Sequence, residues 1–326
     1  FDRGRIAYWP SNGVRRAPKV RSKTDPGVPL RAATIPMGQW AASDSPDEWM
    51  PIIEAGAETR PVHLRIIGGA EPTTSQARVG IVVPENCVLD LIETYEGAST
   101  GLTNVLIEAF VETGGKLSRT VLQDVGSAAV QVSTAQVNLA ERSRFRQFSL
   151  SEGAKLARIE THVSIEGEGA EVELNGLYMC GEGRHADLTS VVEHKVGDGQ
   201  TRQLIKGVAR KGGRGVFQGK IVVAHDAQKT DARQYHHGLL LDDGAEVFAK
   251  PELMIHADDV QCAHGNTAGG LDETALFYLR SRGVPQAEAR ALLIEAFLAE
   301  TIPTSLPREL ADELVGLMRA WLERAR

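Results

Sequence analysis

From Pro61 to Ala268 the chain carries no clear helix signal, and this most limits what it can fold into. Short runs alternate apolar and polar residues there. They begin with Val62-His63-Leu64-Arg65-Ile66 and continue through Val79 to Val83, Val88 to Ile92, Val105 to Phe110, Val130 to Val132, Ala157 to Ile159 and Val172 to Leu177. Later runs are Val216-Phe217, Ile221 to Val223, Leu239 to Leu241 and Leu253 to Ile255. A period of two marks a half-buried strand, and strands of about four to six residues are expected here. Polar or Gly-containing turns separate the runs, and Gly-Ala pairs recur at strand starts: Gly153-Ala154, Gly169-Ala170 and Gly244-Ala245.

Many short strands fit a sandwich, a barrel, a propeller or a solenoid. Sandwiches rely on tight hairpins such as Asn-Gly between their strands. Asn12-Gly13 and Asn175-Gly176 are the only such pairs, and the second lies inside a strand-like run. Coils of a parallel β-helix need no hairpins and stack small aliphatic side chains at a strand spacing of ~4.8 Å. Aromatic residues are only 5% of the chain, which suits stacked short strands better than a large aromatic core. The pattern favours the β-helix.

After Gly269-Gly270 the period becomes helical. Asp272 is a candidate N-cap, and Gly283 a terminating glycine after Arg280 and Arg282. Pro285 opens a second helix that Pro303 stops, and Ser305 caps a third. The third carries Leu310, Leu314, Leu317, Met318, Trp321 and Leu322 on one stripe, expected to pack within the molecule. Residues 1–60 are the least legible. The basic stretch of Arg15, Arg16, Lys19, Arg21 and Lys23, interrupted by prolines, reads as a solvated arm, and Asp47 to Ala55 as a short helical turn. The expected division is an arm over 1–60, a β-helix over 61–268 and a helical domain over 269–326.

The net charge of −7 removes a bulk electrostatic case for nucleic acid or anionic membrane as partner. No apolar run reaches the roughly 18 residues of a membrane helix. Cys87, Cys180 and Cys262 are far apart without CxxC spacing, so no disulfide framework is expected and a reducing, cytoplasmic setting is. Gly212-Gly213-Arg214-Gly215 lacks the Lys-Ser/Thr of a P-loop, so no nucleotide site is expected in this chain.

Cys262-Ala263-His264 lies where strands give way to helices. In an extended strand residues i and i+2 share a face, so a thiol and an imidazole project side by side. Both suit iron, and soft thiolates favour iron–sulfur chemistry. Cys262 reads equally well as a small buried hydrophobe, and Cys87 and Cys180 as structural residues. His185, His194, His236, His237 and His256 show no metal-ligand spacing.

Blocks in a fixed order carry a more specific signal. They include Gly167 to Glu171, Gly176-Leu177-Tyr178, His185-Ala186-Asp187, Lys206-Gly207-Val208, Gly215 to Ile221, Asp226 to Ala232, Lys250 to Leu253, Ala257 to Val260, Cys262 to Gly265, and Ala275 to Gly283. With them the chain resembles the SufB/SufD family of the Suf iron–sulfur cluster assembly machinery, over about Pro61 to Ile302. The Cys-x-His-Gly element resembles the SufD branch. The resemblance implies a mainly β protein, a right-handed parallel β-helix with a C-terminal helical domain. It implies a non-catalytic scaffold that pairs with SufB through the β-helix and holds the SufC ATPase through its helices. A homodimer would form when the chain is alone. The cargo would be a transient iron–sulfur cluster at the SufB interface, with His264, and less firmly Cys262, as ligands. Two other readings stay open at this stage: a SufB-like paralogue that carries the cluster itself, and a β-helix carbohydrate-active enzyme.

Overall fold

A computed structural model describes residues 5–9, 31–36, 50–55, 61–67, 74–97 and 100–324. The strands are β1 (Arg5–Trp9), β2 (Arg31–Pro36), β3 (Met50–Glu54), β4 (Val62–Ile67), β5 (Thr74–Val83), β6 (Val88–Gly97), β7 (Leu102–Val111), β8 (Lys116–Val125) and β9 (Val130–Leu139). They continue as β10 (Arg144–Ser151), β11 (Leu156–Ile165), β12 (Glu171–Cys180), β13 (His185–His194), β14 (Gln200–Ala209), β15 (Arg214–Val223), β16 (Asp231–Leu240), β17 (Glu246–Ile255) and β18 (Gln261–Gly269). Three helices follow: α1 (Glu273–Ser281), α2 (Gln286–Ala299) and α3 (Arg308–Arg324).

Odd strands form one nine-stranded sheet and even strands another. Pairing is parallel throughout except between β1 and β3. Each coil therefore contributes one strand to each sheet, which is a parallel β-helix. Most strands run ten residues, longer than expected, because the alternation continues through polar inward positions that break the apolar pattern in sequence. The alternation itself survives as a burial pattern, strictly so in β11.

The corners explain the recurring Gly-Ala pairs. After β5, β7, β9, β11, β13 and β15 comes one residue of positive φ: Asn86, Gly114, Arg142, Gly169, Asp198 and Lys229. Gly153, Gly183, Gly212 and Gly244 do the same after β10, β12, β14 and β16. Successive corners hydrogen-bond to one another, as in Asn86 N to Thr113 O and Gly212 N to Gly244 O. Glycine takes this left-handed conformation at no steric cost, and the alanine after it is buried at Ala154 and Ala170.

Inside the coils a single apolar core runs from Ile53 to Ala257. A second core lies outside the even-strand sheet. Phe148, Leu150, Leu177, Met179 and Val208 project outward there and are covered by Ile294 and Leu298 of α2 and Leu314, Met318, Trp321 and Leu322 of α3. The stripe on α3 thus packs within the molecule. Both faces of β10, β12 and β14 are buried over their C-terminal halves for this reason.

The helix signals hold with small shifts. Asp272 Oδ1 accepts from the backbone N–H of Thr274 and Ala275, and Gly283 has φ of 89°. Pro285 is the cap of α2 rather than its first residue. Ser305 does not cap α3. It sits in the Pro303–Leu306 turn, and the helix starts at Arg308, where Pro307 accepts its first backbone bond. The expected turn over Asp47 to Ala55 is overturned: Met50–Glu54 is β3, because its Ile52-Ile53-Glu54 backbone finds a ladder partner in β5. The basic stretch of Arg15 to Lys23 lies outside the described residues.

Candidate functional site

The final coil differs from the rest. In β17 and β18 no residue is fully buried, since among the described residues no further strand pairs with either. Ala232, Gln234 and His236 of β16 are completely buried and point inward. Parallel register places Cys262 on Ala232, His264 on Gln234 and Asn266 on His236. In-register side chains of a parallel ladder share a face. Cys262, His264 and Asn266 therefore form the inward row of the last strand, over the open end of the core. The strand signal that faded near Cys262 continues to Gly269.

Each member of that row rests on a different support. Cys262 is half-buried against the core, and burial pushes its thiol pKa up despite a backbone hydrogen bond at Ala232. It stays an S–H near neutral pH, a cover for the core end more than a poised ligand. Asn266 Oδ1 lies 2.7 Å from His236 Nδ1, and the Tyr178 hydroxyl lies 3.0 Å from His236 Nε2. With Nδ1–H donating to Asn266, Nε2 accepts from Tyr178. The His236 ring stacks on Phe217 at 5.0 Å, and burial lowers its pKa to about 4. His236 is thus a neutral strut under the last strand. His264 is exposed, and beneath it lies the Gln234 amide.

Gln234 belongs to a line of polar side chains inside the β-helix. Gln234 Nε2 donates to Gln203 Oε1 at 3.0 Å, and Gln203 Nε2 donates to Ser190 Oγ at 2.7 Å. Ser190 borders a cavity of about 20 Å³ that Thr161 and Gln147 also line. From the other side Arg119 donates to Gln147 Oε1 at 2.7 Å and forms a bidentate pair with Glu93. Tyr95 donates to Glu93. Of the family blocks, Tyr178, Phe217 and Gly219 reach this interior, and reading parity along the strands would have exposed the rest. Arg119, Gln147, Gln203 and Gln234 all fall on inward positions, where a charge or amide interrupts aliphatic residues.

Residues 65–297 match the family described as SUF system FeS cluster assembly, SufBD core domain. The chain belongs to the SufB/SufD family. It is 31% identical over 273 residues to a SufBD family protein of Synechocystis, with 80% of this chain and 60% of that protein covered. It is 32% identical over 281 residues to a chloroplastic protein of Arabidopsis thaliana, covering 82% and 59%. It is 39% identical over 186 residues to the iron–sulfur cluster assembly protein SufD of Escherichia coli, covering 57% and 42%. The chain thus spans less than two thirds of the length of these relatives.

The other sequence candidates of this SufB/SufD chain are structural. Cys180 is fully buried, its pKa pushed up to about 12, and Cys87 is half-buried against the core. His194 is buried with Nε2 at 2.8 Å from Thr201 Oγ1 and a pKa lowered to about 4 by burial. His185 begins β13, and Asp187 pairs with Arg158 at 3.0 Å. His237 meets Thr267 at 2.7 Å on the outer face, and His256 is exposed beyond β17. Gly212 is a corner. Among the described residues no three His, Cys, Asp or Glu side chains gather closely enough to hold a metal ion. Cys262 and His264 are two donors without a third. Among these residues no helix is long and apolar enough to cross a membrane.

The helices are tied on by charge as well as apolar contact. Lys206 of β14 is nearly buried beneath α2, with Nζ 2.5 Å from Glu300 and 4.3 Å from the centre of the Phe297 ring. Arg324 of α3 grips Glu152 through both carboxylate oxygens at 2.7 and 2.6 Å. On α1, Phe277 and Tyr278 are 71% and 57% exposed.

Proposed function

We propose that this chain is a SufD-type scaffold of iron–sulfur cluster assembly. Its open last coil pairs with the matching coil of a SufB-type β-helix, and the nascent cluster is held between the two. The observation that carries this reading is the incomplete donor set on an unpaired edge. Cys262 and His264 share one face of β18, and among the described residues no third donor is near and no next strand pairs with β18. A tetrahedral iron site needs further ligands. An exposed edge is a template for β-augmentation. A second β-helix would satisfy both at once, and a twofold homodimer would be the substitute when this chain is alone. The exposed His264 is the stronger ligand and Cys262, held as a thiol, the weaker.

The helices have a separate part. The apolar faces of α2 and α3 are spent on the β-helix. Outward remain Phe277 and Tyr278 on α1 and Leu292 on α2, and the aromatic pair serves as the docking surface for the SufC ATPase. ATP hydrolysis belongs to that partner, and this chain acts as a non-catalytic subunit in the cytoplasm.

Anaerobic reconstitution with iron and sulfide tests the reading. The chain alone is expected to take up no stable cluster, and the chain with SufB and SufC to assemble one that His264→Ala abolishes. A stable cluster on the isolated chain would instead make it the cluster carrier itself.

A further inference from the structure

The hydrogen bonds beneath His264 have a direction. Gln234 donates its amide N–H inward to Gln203, and Gln203 donates inward to Ser190. Each carbonyl therefore faces the open end. For Gln203 that carbonyl is used by Gln234. For Gln234 it is not: Oε1 is buried and has no partner, although the residue is completely shielded from solvent. A buried acceptor without a donor is rare in native proteins and calls for a partner.

Turning the Gln234 amide alone does not remove the problem. A Cβ at Gly219 would stand 1.9 Å from Gln234 Nε2, so the amide fills the space that this glycine leaves. Turning it over would also set the Gln234 and Gln203 oxygens against each other. The acceptor is left without a donor in its own coil. The residue in register with Gln234 on that coil is His264, one strand spacing away at ~4.8 Å.

We propose that Gln234 is the positioning residue of His264: its Oε1 accepts a hydrogen bond from one ring N–H and so turns the lone pair of the other ring nitrogen toward the partner coil. Histidine ligands of metals commonly donate their second N–H to a carbonyl or carboxylate, which fixes tautomer and ring orientation. The chain Ser190–Gln203–Gln234 supplies that second shell from inside the β-helix, before any partner arrives. The inference rests on His264 being an interface ligand for iron, and it assigns what makes the ring ready to ligate.

Nitrogen-15 NMR of the histidine-labelled full chain, with the His264 ring assigned from a His264→Gln sample, reads the tautomer directly. In the unsubstituted protein the ratio of the two neutral His264 tautomers is expected to depart by roughly three- to tenfold from that of a solvent-exposed histidine, the shift one net hydrogen bond supports. Gln234→Leu should abolish that shift, and so should Gln234→Met, which fills the same space without an acceptor. A role in packing alone would change the melting temperature of both variants and leave the tautomer ratio alone. A ratio in the unsubstituted protein equal to that of a solvent-exposed histidine overturns the assignment, and this holds even if the leucine variant fails to fold. The readout needs neither cluster nor partner. A shifted ratio with failed reconstitution would defeat the scaffold reading and leave the Gln234 contact standing, and the reverse pair of results would do the opposite.

Discussion

Two polar clusters lie inside the same β-helix and are treated in opposite ways. Around Glu93, Arg119 and Tyr95 every strong group is matched. Arg119 meets both Glu93 oxygens at 2.8 Å, Tyr95 donates to Glu93, and side-chain exposure of the ion pair is 1% and 0%. At the last coil, Gln234 Oε1 lacks a donor, His264 is exposed, and Cys262 and His264 lack a third ligand. The chemistry of the residues does not separate the two clusters. Coverage separates Cys262 and His264 from the rest, since β8 and β16 each have a strand on both sides and, among the described residues, β18 pairs only with β16. Closed coils are not wholly matched either, since both amide atoms of Gln131 on β9 and Nδ1 of His194 on β13 are buried without a partner. What distinguishes the last coil is that its inward His264 is exposed.

The comparison breaks most forcibly at the ion pair. Glu93→Gln leaves Arg119 charged and uncompensated in the core, and should cost about 3–5 kcal/mol. Urea unfolding of the variant would measure it, and a loss below about 1 kcal/mol would mean that the middle coils are as wet as the last one.

Acid is the next probe. Burial lowers the folded pKa of His194 and His236 to about 4 from an ordinary value of 6.5. Above pH 6.5 both are neutral folded and unfolded. As pH falls from 6.5 toward 4 the unfolded chain takes up protons first, so stability declines in that window and the loss levels off below it. Each histidine should account for about 2 kcal/mol by pH 5. Denaturant midpoints at pH 7 and pH 5 check this, and His194→Gln should flatten the difference. His194 sits in a closed coil and His236 beneath the open one. If the last coil frays in solution, the share of His236 will be the smaller.

Matched glycine substitutions sharpen the contrast at lower energy. A Cβ at Gly207 would fall 1.9 Å from Tyr178 Cζ, inside closed packing, whereas one at Gly265 on β18 meets Tyr235 at 3.0 Å. Gly207→Ala is expected to cost about 1–3 kcal/mol and Gly265→Ala under about 0.5 kcal/mol. Equal melting temperatures for the two would remove the distinction.

The smallest effect on stability falls on the proposed ligand. His264→Ala removes an exposed ring and should shift stability by no more than about 0.5 kcal/mol, with cluster assembly lost in the presence of SufB and SufC. Full complementation of growth under iron limitation by this variant would show that the last coil is not the site.

Much of this was legible in the chain itself. Period-two alternation, missing hairpins and Gly-Ala corners specify a parallel β-helix because each is a local property: parity repeats every two residues, and a corner needs one residue of positive φ. Asp272 and Gly283 mark the ends of α1 for equally local reasons. The shared face of Cys262 and His264 follows from parity alone. Where local signals compete, the sequence misleads, as at Ser305, whose turn ends before the helix starts, and at Met50–Glu54, where a ladder partner far along the chain decides.

What lies above what is a different kind of fact. Partners inside the β-helix are separated by uneven stretches of chain, 28 residues from Arg119 to Gln147 and 31 from Gln203 to Gln234. The corners set those intervals, and no short-range pattern reports them. Tertiary structure alone therefore stacked Gln203, Gln234 and His264 in one row, slid α2 over Lys206, and left the Gln234 carbonyl facing the end of the core. The sequence determines which face each side chain takes, because the strand backbone dictates it residue by residue. Only coil stacking decides which side chains become neighbours on that face, because register depends on the summed length of every turn between them.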